Sequence, residues 1–308
     1  MSVGNKPDLR VNLAGVALHN PVMVASGTFG TGEEYAPFMD VNRLGAIITK
    51  TVTLEKRKGN PPPRIWETPS GLLNSIGLQN KGIDRFLKED LPLFRRLHPA
   101  IIANIAGFEI DEYVTLARKL NAALGISALE LNISCPNVKE GGVIFGSNPK
   151  IAAEVVKETK KVSRIPLIVK LSPNVNDIVT IAQAVEEAGA DAISLVNTFI
   201  GMAIDPVTFK PRISNIVGGL SGPAIRPIAV RMVWEVAQKV KVPVVGIGGI
   251  TSVSDALEFF LAGATAVAVG TANLVNPGTP AEIIDDLEKF LVKKGLNSIN
   301  DVIGGVEA

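Results

Sequence analysis

The feature that most constrains the fold of this 308-residue chain is a regular alternation of short apolar runs with longer amphipathic segments. Most of these runs stay apolar until their last residues, as expected of parallel strands that are covered on both faces. The eight runs are residues 21–27, 46–52, 100–107, 128–134, 166–172, 191–198, 243–249 and 266–272. Eight strand–helix units in succession predict an α/β fold of the (β/α)8 type, a TIM barrel.

The amphipathic segments between the runs have the apolar spacing of helices that cover one side of a sheet. This spacing predicts helices over residues 111–123, 148–163, 177–189, 225–240, 252–263 and 280–295, and a short first helix near 33–38. Polar residues mark some of the helix starts. Asp177 is one of them, and Ser252 is followed three residues later by Asp255, a variant of the capping box.

The alternative fold is an open, doubly wound sheet. Such a sheet would usually need fewer strands at this length, or a glycine-rich dinucleotide fingerprint after its first strand. Residues 27–32 read GTFGTG, which has the wrong glycine spacing for that fingerprint. No linker or compositional shift divides the chain, so we expect residues 1–308 to form a single domain.

Two long excursions interrupt the alternation, over residues 53–82 and 199–223. They follow the second and the sixth predicted strand, at the end of the barrel where active sites are built. Loops of this length inside a compact domain are usually lids or binding loops, although a decorative insertion is the simpler alternative. We therefore expect lid-like insertions after strands 2 and 6.

Composition excludes several classes of protein. One cysteine cannot form a disulfide framework or hold an iron–sulfur cluster, and His19 and His98 lack metal-ligand spacing, so we expect no metal site. A net charge of +1 gives no indication of a basic surface that binds nucleic acid. No apolar run reaches the roughly 18 residues of a membrane span, and the first 20 residues lack a signal-peptide core. The expectation is a soluble, cytoplasmic protein.

Polar residues gather at the last positions of the predicted strands. They are Ser26, Thr49, Lys50, Asn104, Asn132, Ser134, Lys170, Asn197 and Thr198. A closed barrel brings all these strand ends to one mouth, and alternation places Glu130, Asn132 and Ser134 on one face of the fourth strand. Lys170 is costly to bury on an inner face unless it meets a negative partner, which a bound anion would supply.

Two glycine-rich turns follow the seventh and eighth strands, at residues 246–249 and at Gly270 with Thr271. Glycines allow the main chain to approach a ligand closely, and this position is the usual phosphate site of such barrels. The signal indicates a phosphate group without identifying the phosphorylated molecule.

The single cysteine, Cys135, lies just beyond the fourth strand. A lone cysteine is more often an inert small apolar residue, but this one lies on a loop at the predicted mouth. Its thiol has an ordinary pKa near 8.5, so it could serve as a general base or as a nucleophile.

At this point the sequence resembles a known family. The motifs NISCPNV at 132–138, ASGTFG at 25–30, TKT at 49–51, NSIGLQNKG at 74–82 and GIGGI at 246–250 closely resemble those of the dihydroorotate dehydrogenases of pyrimidine biosynthesis. The resemblance extends over nearly the whole chain. It implies an FMN-containing barrel that oxidises dihydroorotate to orotate. A cysteine rather than a serine in the base position resembles the soluble classes, and the overall form resembles the NAD-linked class.

The resemblance also implies roles for individual residues. Cys135 corresponds to the base that removes the C5 proton, and Lys50 to a residue that touches both flavin and substrate. The positions that match substrate-binding residues are Lys50, Asn74, Ser75, Ile76, Gly77, Leu78, Asn132, Asn197 and Thr198. The positions that match flavin-binding residues are Ser26, Lys50, Thr51, Asn104, Asn132, Lys170, Val196, Gly222, Gly248, Gly249, Gly270 and Thr271.

The electron acceptor follows from the resemblance together with what the chain lacks. Without a dinucleotide fingerprint the chain is not expected to bind NAD, and one cysteine cannot hold a cluster. The NAD-linked class passes its electrons to a partner subunit that carries FAD and a [2Fe–2S] cluster, which implies a dimer of catalytic subunits within a heterotetramer.

Three alternatives stay open. The first is the soluble homodimeric class, which returns electrons to fumarate. The second is a phosphate-binding barrel lyase or isomerase with no redox role. The third is a barrel that binds a ligand without catalysis.

Overall fold

The computed structural model describes residues 6–134, 136–137 and 143–307, with the main chain alone at positions 136, 137, 143 and 144. Cys135 therefore lies outside the described residues. The N-terminal segment begins with an antiparallel hairpin of Val11–Leu13 and Val16–Leu18, which leads into the first strand of the barrel.

Eight parallel strands close into a barrel in which each strand pairs with its neighbours in chain order and the last pairs with the first. These barrel strands, β1 to β8, are Val22–Val24, Ala46–Ile48, Ala100–Ile105, Ala128–Asn132, Leu167–Lys170, Ala192–Leu195, Val244–Ile247 and Ala266–Val269. Each lies within one of the eight runs predicted from the sequence. The (β/α)8 fold is confirmed.

Six long helices follow strands β3 to β8, where the sequence predicts them. They are Ile110–Asn121, Pro149–Val162, Ile178–Glu187, Arg226–Ala237, Val253–Leu261 and Thr279–Lys294. Asp177 caps its helix by accepting hydrogen bonds from the main-chain N–H groups of Val179 and Thr180. Ser252 accepts from the main-chain N–H of Asp255, and the Asp255 carboxylate accepts from the main-chain N–H and the hydroxyl of Thr251.

The prediction of a first helix near residues 33–38 is wrong. That segment forms a series of turns in which Gly32 and Tyr35 each accept from N–H groups three and four residues later. Pro37 has no N–H to donate, so it interrupts the hydrogen bonding of a regular helix. A short 3₁₀ turn at Val41–Arg43 leads into β2.

The helical layer after β2 is also irregular. It consists of a helical turn at Ile83–Arg85, a π-helical segment at Phe86–Asp90 and a last turn at Leu91–Phe94. Further short elements are the 3₁₀ turns Phe145–Ser147, Pro223–Ile225 and Ile299–Asp301, the helix Ala272–Val275, and the strand pairs Pro136–Asn137 with Val143–Ile144 and Ile204–Asp205 with Lys210–Pro211.

The two predicted insertions do follow β2 and β6, and they combine into one structure. Together they form a four-stranded antiparallel sheet in the order Phe199–Met202, Val217–Ser221, Gly71–Asn74 and Ile65–Thr68. The two middle strands come from different insertions and join them, with Gly219 opposite Asn74. We call this element the insertion sheet.

The core lies between the barrel and its helices, where the strand residues are almost completely buried. In the described part of the chain, no helix combines the length and the apolar character that a membrane crossing requires.

Candidate functional site

A cavity of about 390 Å³ opens at the carboxyl ends of the barrel strands, with the insertion sheet as one of its walls. Its volume is in the range usual for small-molecule and cofactor sites. Strand ends from the barrel contribute Asn104, Asn132 and Lys170, and the insertion sheet contributes Asn74 and Gly219.

The fold brings together every described residue that the sequence assigns to substrate or cofactor. All nineteen line this one cavity: Ser26, Lys50, Thr51, Asn74, Ser75, Ile76, Gly77, Leu78, Asn104, Asn132, Lys170, Val196, Asn197, Thr198, Gly222, Gly248, Gly249, Gly270 and Thr271. Two other polar strand-end residues do not line it. Thr49 is buried against main chain, and Ser134 bonds to the side chain of Asn197.

Several lining residues were not predicted as site residues. They include Thr28 and Gln79, and the apolar side chains of Ile65, Leu72 and Leu274. Ile65 and Leu72 belong to the insertion sheet, whose strand pairing has no local sequence signal. Leu274 lies on the short helix after β8, where the sequence indicates only a glycine turn.

Two asparagines on neighbouring strands line the cavity, and their bonds to other described residues leave opposite ends of the two amides unused. Asn104 donates its Nδ2 to Glu130, which leaves its Oδ1 buried without a hydrogen-bond partner among the described residues. Asn132 accepts through its Oδ1 from Ser134 and Asn197, which leaves its Nδ2 available to donate. The cavity thus offers an acceptor and a donor from adjacent strands.

The remaining polar side chains are fixed by similar local bonds. Asn74 donates Nδ2 to the carbonyl of Gly219, which leaves its Oδ1 available. Ser75 is buried, and its hydroxyl has no partner in the described part of the chain. A polar group that is buried without a partner costs about 1–3 kcal/mol, so these atoms favour a polar ligand.

Two lysines bring positive charge to the cavity. Lys170 is 7% exposed, and neither it nor Lys50 forms an ion pair with any described carboxylate. Burial, and secondarily the positive charge of Arg64, lower the pKa of Lys50 below its usual 10.5. Unpaired ammonium groups at a partly desolvated site favour an anionic ligand.

The turns after β7 and β8 meet the end of the insertion sheet at one side of the cavity. Gly249 has a φ of +73°, and a Cβ there would lie 2.7 Å from the carbonyl oxygen of Gly222. Glycine is therefore required both by the backbone conformation and by the close approach of the two chains. Thr271 donates its hydroxyl hydrogen to Ser221, which connects the turn after β8 to the insertion sheet.

The polar chemistry of the cavity consists of amides, hydroxyls, ammonium groups and main chain. Among the described residues, no group of three His, Cys, Asp or Glu side chains is arranged to hold a metal ion.

The fold and the position of the cavity define the class, a (β/α)8 barrel whose site is built at the carboxyl ends of its strands. Comparison with known proteins then gives the family. The protein-family model described as dihydroorotate dehydrogenase matches residues 8–291, and the chain belongs to that family.

Curated relatives match nearly the full length. The chain is 54% identical over 302 residues to a protein of Trichlorobacter lovleyi, covering 98% of this chain and 99% of the relative. It is 55% identical over 294 residues to one of Desulforudis audaxviator, covering 96% of each. Both relatives are named dihydroorotate dehydrogenase B (NAD(+)), catalytic subunit.

Proposed function

We propose that this chain is the FMN-dependent catalytic subunit of an NAD-linked dihydroorotate dehydrogenase, which oxidises dihydroorotate to orotate in pyrimidine biosynthesis. One observation carries the proposal: a single cavity combines two ammonium groups that no described carboxylate pairs with, amides of fixed orientation and a glycine-lined turn. The names of the full-length relatives support the same reaction.

The residues fit FMN on two grounds. The buried Oδ1 of Asn104 has no partner among the described residues and needs a hydrogen-bond donor, and a flavin ring carries an N–H between two carbonyl groups. The main chain at Gly249 leaves no room for a Cβ, as expected where backbone closes around a phosphate. Gly222, Gly248, Gly249, Gly270 and Thr271 would hold the phosphate and the ribityl chain.

The other cofactor-binding residues surround the rest of the cavity. Ser26, Lys50, Thr51, Asn104, Asn132, Lys170 and Val196 would contact the ring. When bound, FMN supplies the two-electron acceptor that no amino-acid side chain provides. Lys170 holds a positive charge inside the barrel, which favours a ligand that carries negative charge.

Substrate would be held by residues that read both a carboxylate and a pyrimidine edge. Lys50 provides a positive charge for the carboxylate. Asn74 has its Oδ1 left to accept and Asn132 its Nδ2 left to donate, while Asn197 holds Asn132 in place through its own Nδ2. Ser75, Ile76, Gly77, Leu78 and Thr198 complete this part of the cavity. The insertion sheet covers the site and would keep water from the reacting atoms.

Proton removal is assigned to Cys135, which follows directly on the described strand end. Ser134 donates its main-chain N–H to Asn132 and accepts a hydrogen bond from Asn197 Nδ2 at 2.9 Å. These bonds fix the residue before Cys135 at the mouth. A thiolate there would remove the proton while Lys50 and the asparagines hold the substrate.

Electrons leave through a partner subunit, which the words "catalytic subunit" in the relatives' names imply for those proteins. We propose that the partner carries FAD and a [2Fe–2S] cluster, and that two catalytic subunits form a dimer within a heterotetramer.

The test begins with the colour of the purified chain. We expect a yellow protein that releases one FMN per chain on denaturation and whose visible absorption is bleached by dihydroorotate without oxygen. A chain that stays colourless after incubation with FMN, or a bound flavin that dihydroorotate does not reduce, would contradict the proposal.

A further inference from the structure

Glu130 is a completely buried carboxylate inside the barrel, and the chemistry proposed above does not use it. It lies on β4, two residues before Asn132 and on the same face. Its two oxygens are reached from the neighbouring strand β3 and, across the interior of the barrel, from β6, which is not adjacent to β4. Asn104 of β3 donates Nδ2 to Oε2 at 2.5 Å, and Ser194 of β6 donates its hydroxyl to Oε1 at 2.7 Å.

A carboxylate accepts hydrogen bonds and donates none, so it determines which end of a neighbouring amide faces it. Asn104 must turn its NH2 toward Glu130, because the opposite orientation would set its oxygen against the carboxylate. Its Oδ1 is then directed away from Glu130, and Asn104 lines the cavity. Without Glu130, either end of the amide could face the ligand.

We infer that Glu130 is a positioning residue: it fixes the amide of Asn104 so that its oxygen faces the cavity as an acceptor for an N–H group of the bound ring. The inference rests on the proposed function, which supplies a flavin as the ligand. It goes beyond that function because it assigns a role to a residue that does not line the cavity.

The orientation of Asn132 makes this arrangement selective. Its oxygen is already occupied by Ser134 and Asn197, so its NH2 is the group left for a ligand. Adjacent strands therefore offer an acceptor from Asn104 and a donor from Asn132. A ligand must place a donor opposite Asn104 and an acceptor opposite Asn132. Reversing the amide of Asn104 should therefore weaken FMN binding.

The experiment compares variants by titrating FMN into the apoprotein and following flavin fluorescence. Glu130→Leu removes the acceptor and frees the amide of Asn104. We expect the Kd for FMN to rise about tenfold, the effect of losing one hydrogen bond to a buried group. The visible absorption bands of the bound flavin should also shift.

Two controls separate positioning from packing. In Glu130→Gln, the Oε1 atom can still accept from Asn104 while Nε2 donates to the Ser194 hydroxyl, so we expect a Kd within about threefold of the unaltered protein. Ser194→Ala removes the other bond to Glu130 and leaves the one to Asn104. Its Kd for FMN should also stay within about threefold of that of the unaltered protein.

A double variant covers the case in which Glu130→Leu fails to fold. In Glu130→Gln with Ser194→Ala, the glutamine has lost the serine that fixes its own orientation, so it can present either end to Asn104. We expect a Kd for FMN clearly above that of either single variant.

Three results would overturn the inference: a folded Glu130→Leu protein with unchanged FMN affinity and spectrum, equal losses in Glu130→Leu and Ser194→Ala, or a double variant indistinguishable from Ser194→Ala. An unaltered chain that binds no FMN would contradict the proposed function itself. That outcome is visible before any variant is compared.

Discussion

Cys135 is the residue to which proton removal is assigned, and it makes the sharpest prediction at the scale of single residues. Cys135→Ala should lower kcat for dihydroorotate oxidation about 10²–10⁴-fold, the usual contribution of a general base. FMN affinity should stay within about twofold, because the flavin is assigned to other residues. Steady-state kinetics with an artificial dye measure the first quantity and FMN titration the second. Near-normal turnover would remove Cys135 from the mechanism.

Lys50 gives a prediction about pH. Burial and the charge of Arg64 lower its pKa below 10.5, and an amine is charged only below its pKa. The ammonium to which we assign the substrate carboxylate should therefore be lost at a lower pH than for an ordinary lysine. The Kd for orotate should rise with pH in the alkaline range below 10.5.

Orotate binding is best measured in Cys135→Ala, so that thiol ionisation does not contribute. Lys50→Arg is the matched control, because a guanidinium keeps its charge over this range and its Kd should not change with pH. An orotate Kd that stays constant up to pH 10.5 with Lys50 in place would contradict the assignment.

At the scale of elements, the turn after β7 depends on Gly249. Gly249→Ala adds a Cβ 2.7 Å from the carbonyl of Gly222, so this turn, to which we assign the FMN phosphate, must move. We expect a roughly five- to 150-fold loss of FMN affinity, since overpacking of this kind costs about 1–3 kcal/mol.

Gly295 provides the control. It has a similar φ of +68°, but a Cβ there would meet nothing within 4 Å. Gly295→Ala should lose about 1–2 kcal/mol of stability from backbone strain and retain FMN. Equal FMN affinity in the two variants would show that the turn tolerates a side chain.

The insertion sheet makes a separate prediction about substrate. A Cβ on Gly219 would collide with the side chain of Thr198, whereas one on Gly201 of the neighbouring strand would make only ordinary contacts. Gly219→Ala should raise the KM for dihydroorotate about tenfold with FMN affinity nearly unchanged, and Gly201→Ala should alter neither. Steady-state kinetics would decide. Equal KM values in the two variants would contradict the assignment of Thr198 to substrate binding.

At the scale of the whole molecule, the prediction concerns the electron acceptor. The chain by itself should reduce an artificial dye but neither NAD nor fumarate, and NAD reduction should appear only with the FAD-containing partner. Acceptor assays on the chain purified with and without that partner test this. Efficient NAD reduction by the chain alone would refute the need for a partner, and efficient use of fumarate would favour the homodimeric class.

Much of the fold was predictable because its signals are local. Each barrel strand lies within a run of buried apolar residues, and each long helix has its own amphipathic spacing. Most of the polar strand ends could be assigned to one site because barrel closure brings them to one mouth, although Thr49 and Ser134 do not line the cavity. The first helix was predicted wrongly because its turns are set by Pro37, which outweighs a weak helical pattern.

The sequence by itself determined the barrel, the glycine turns after β7 and β8 and the residue types at the mouth, since these depend on the period of two in strands, on helical periodicity and on glycine. Only the tertiary structure decided how distant residues meet. It paired Gly219 with Asn74 across two insertions and placed Glu130 between Asn104 and Ser194. Such contacts join residues far apart in the chain, and they exist only once the barrel has closed, so no local pattern can encode them.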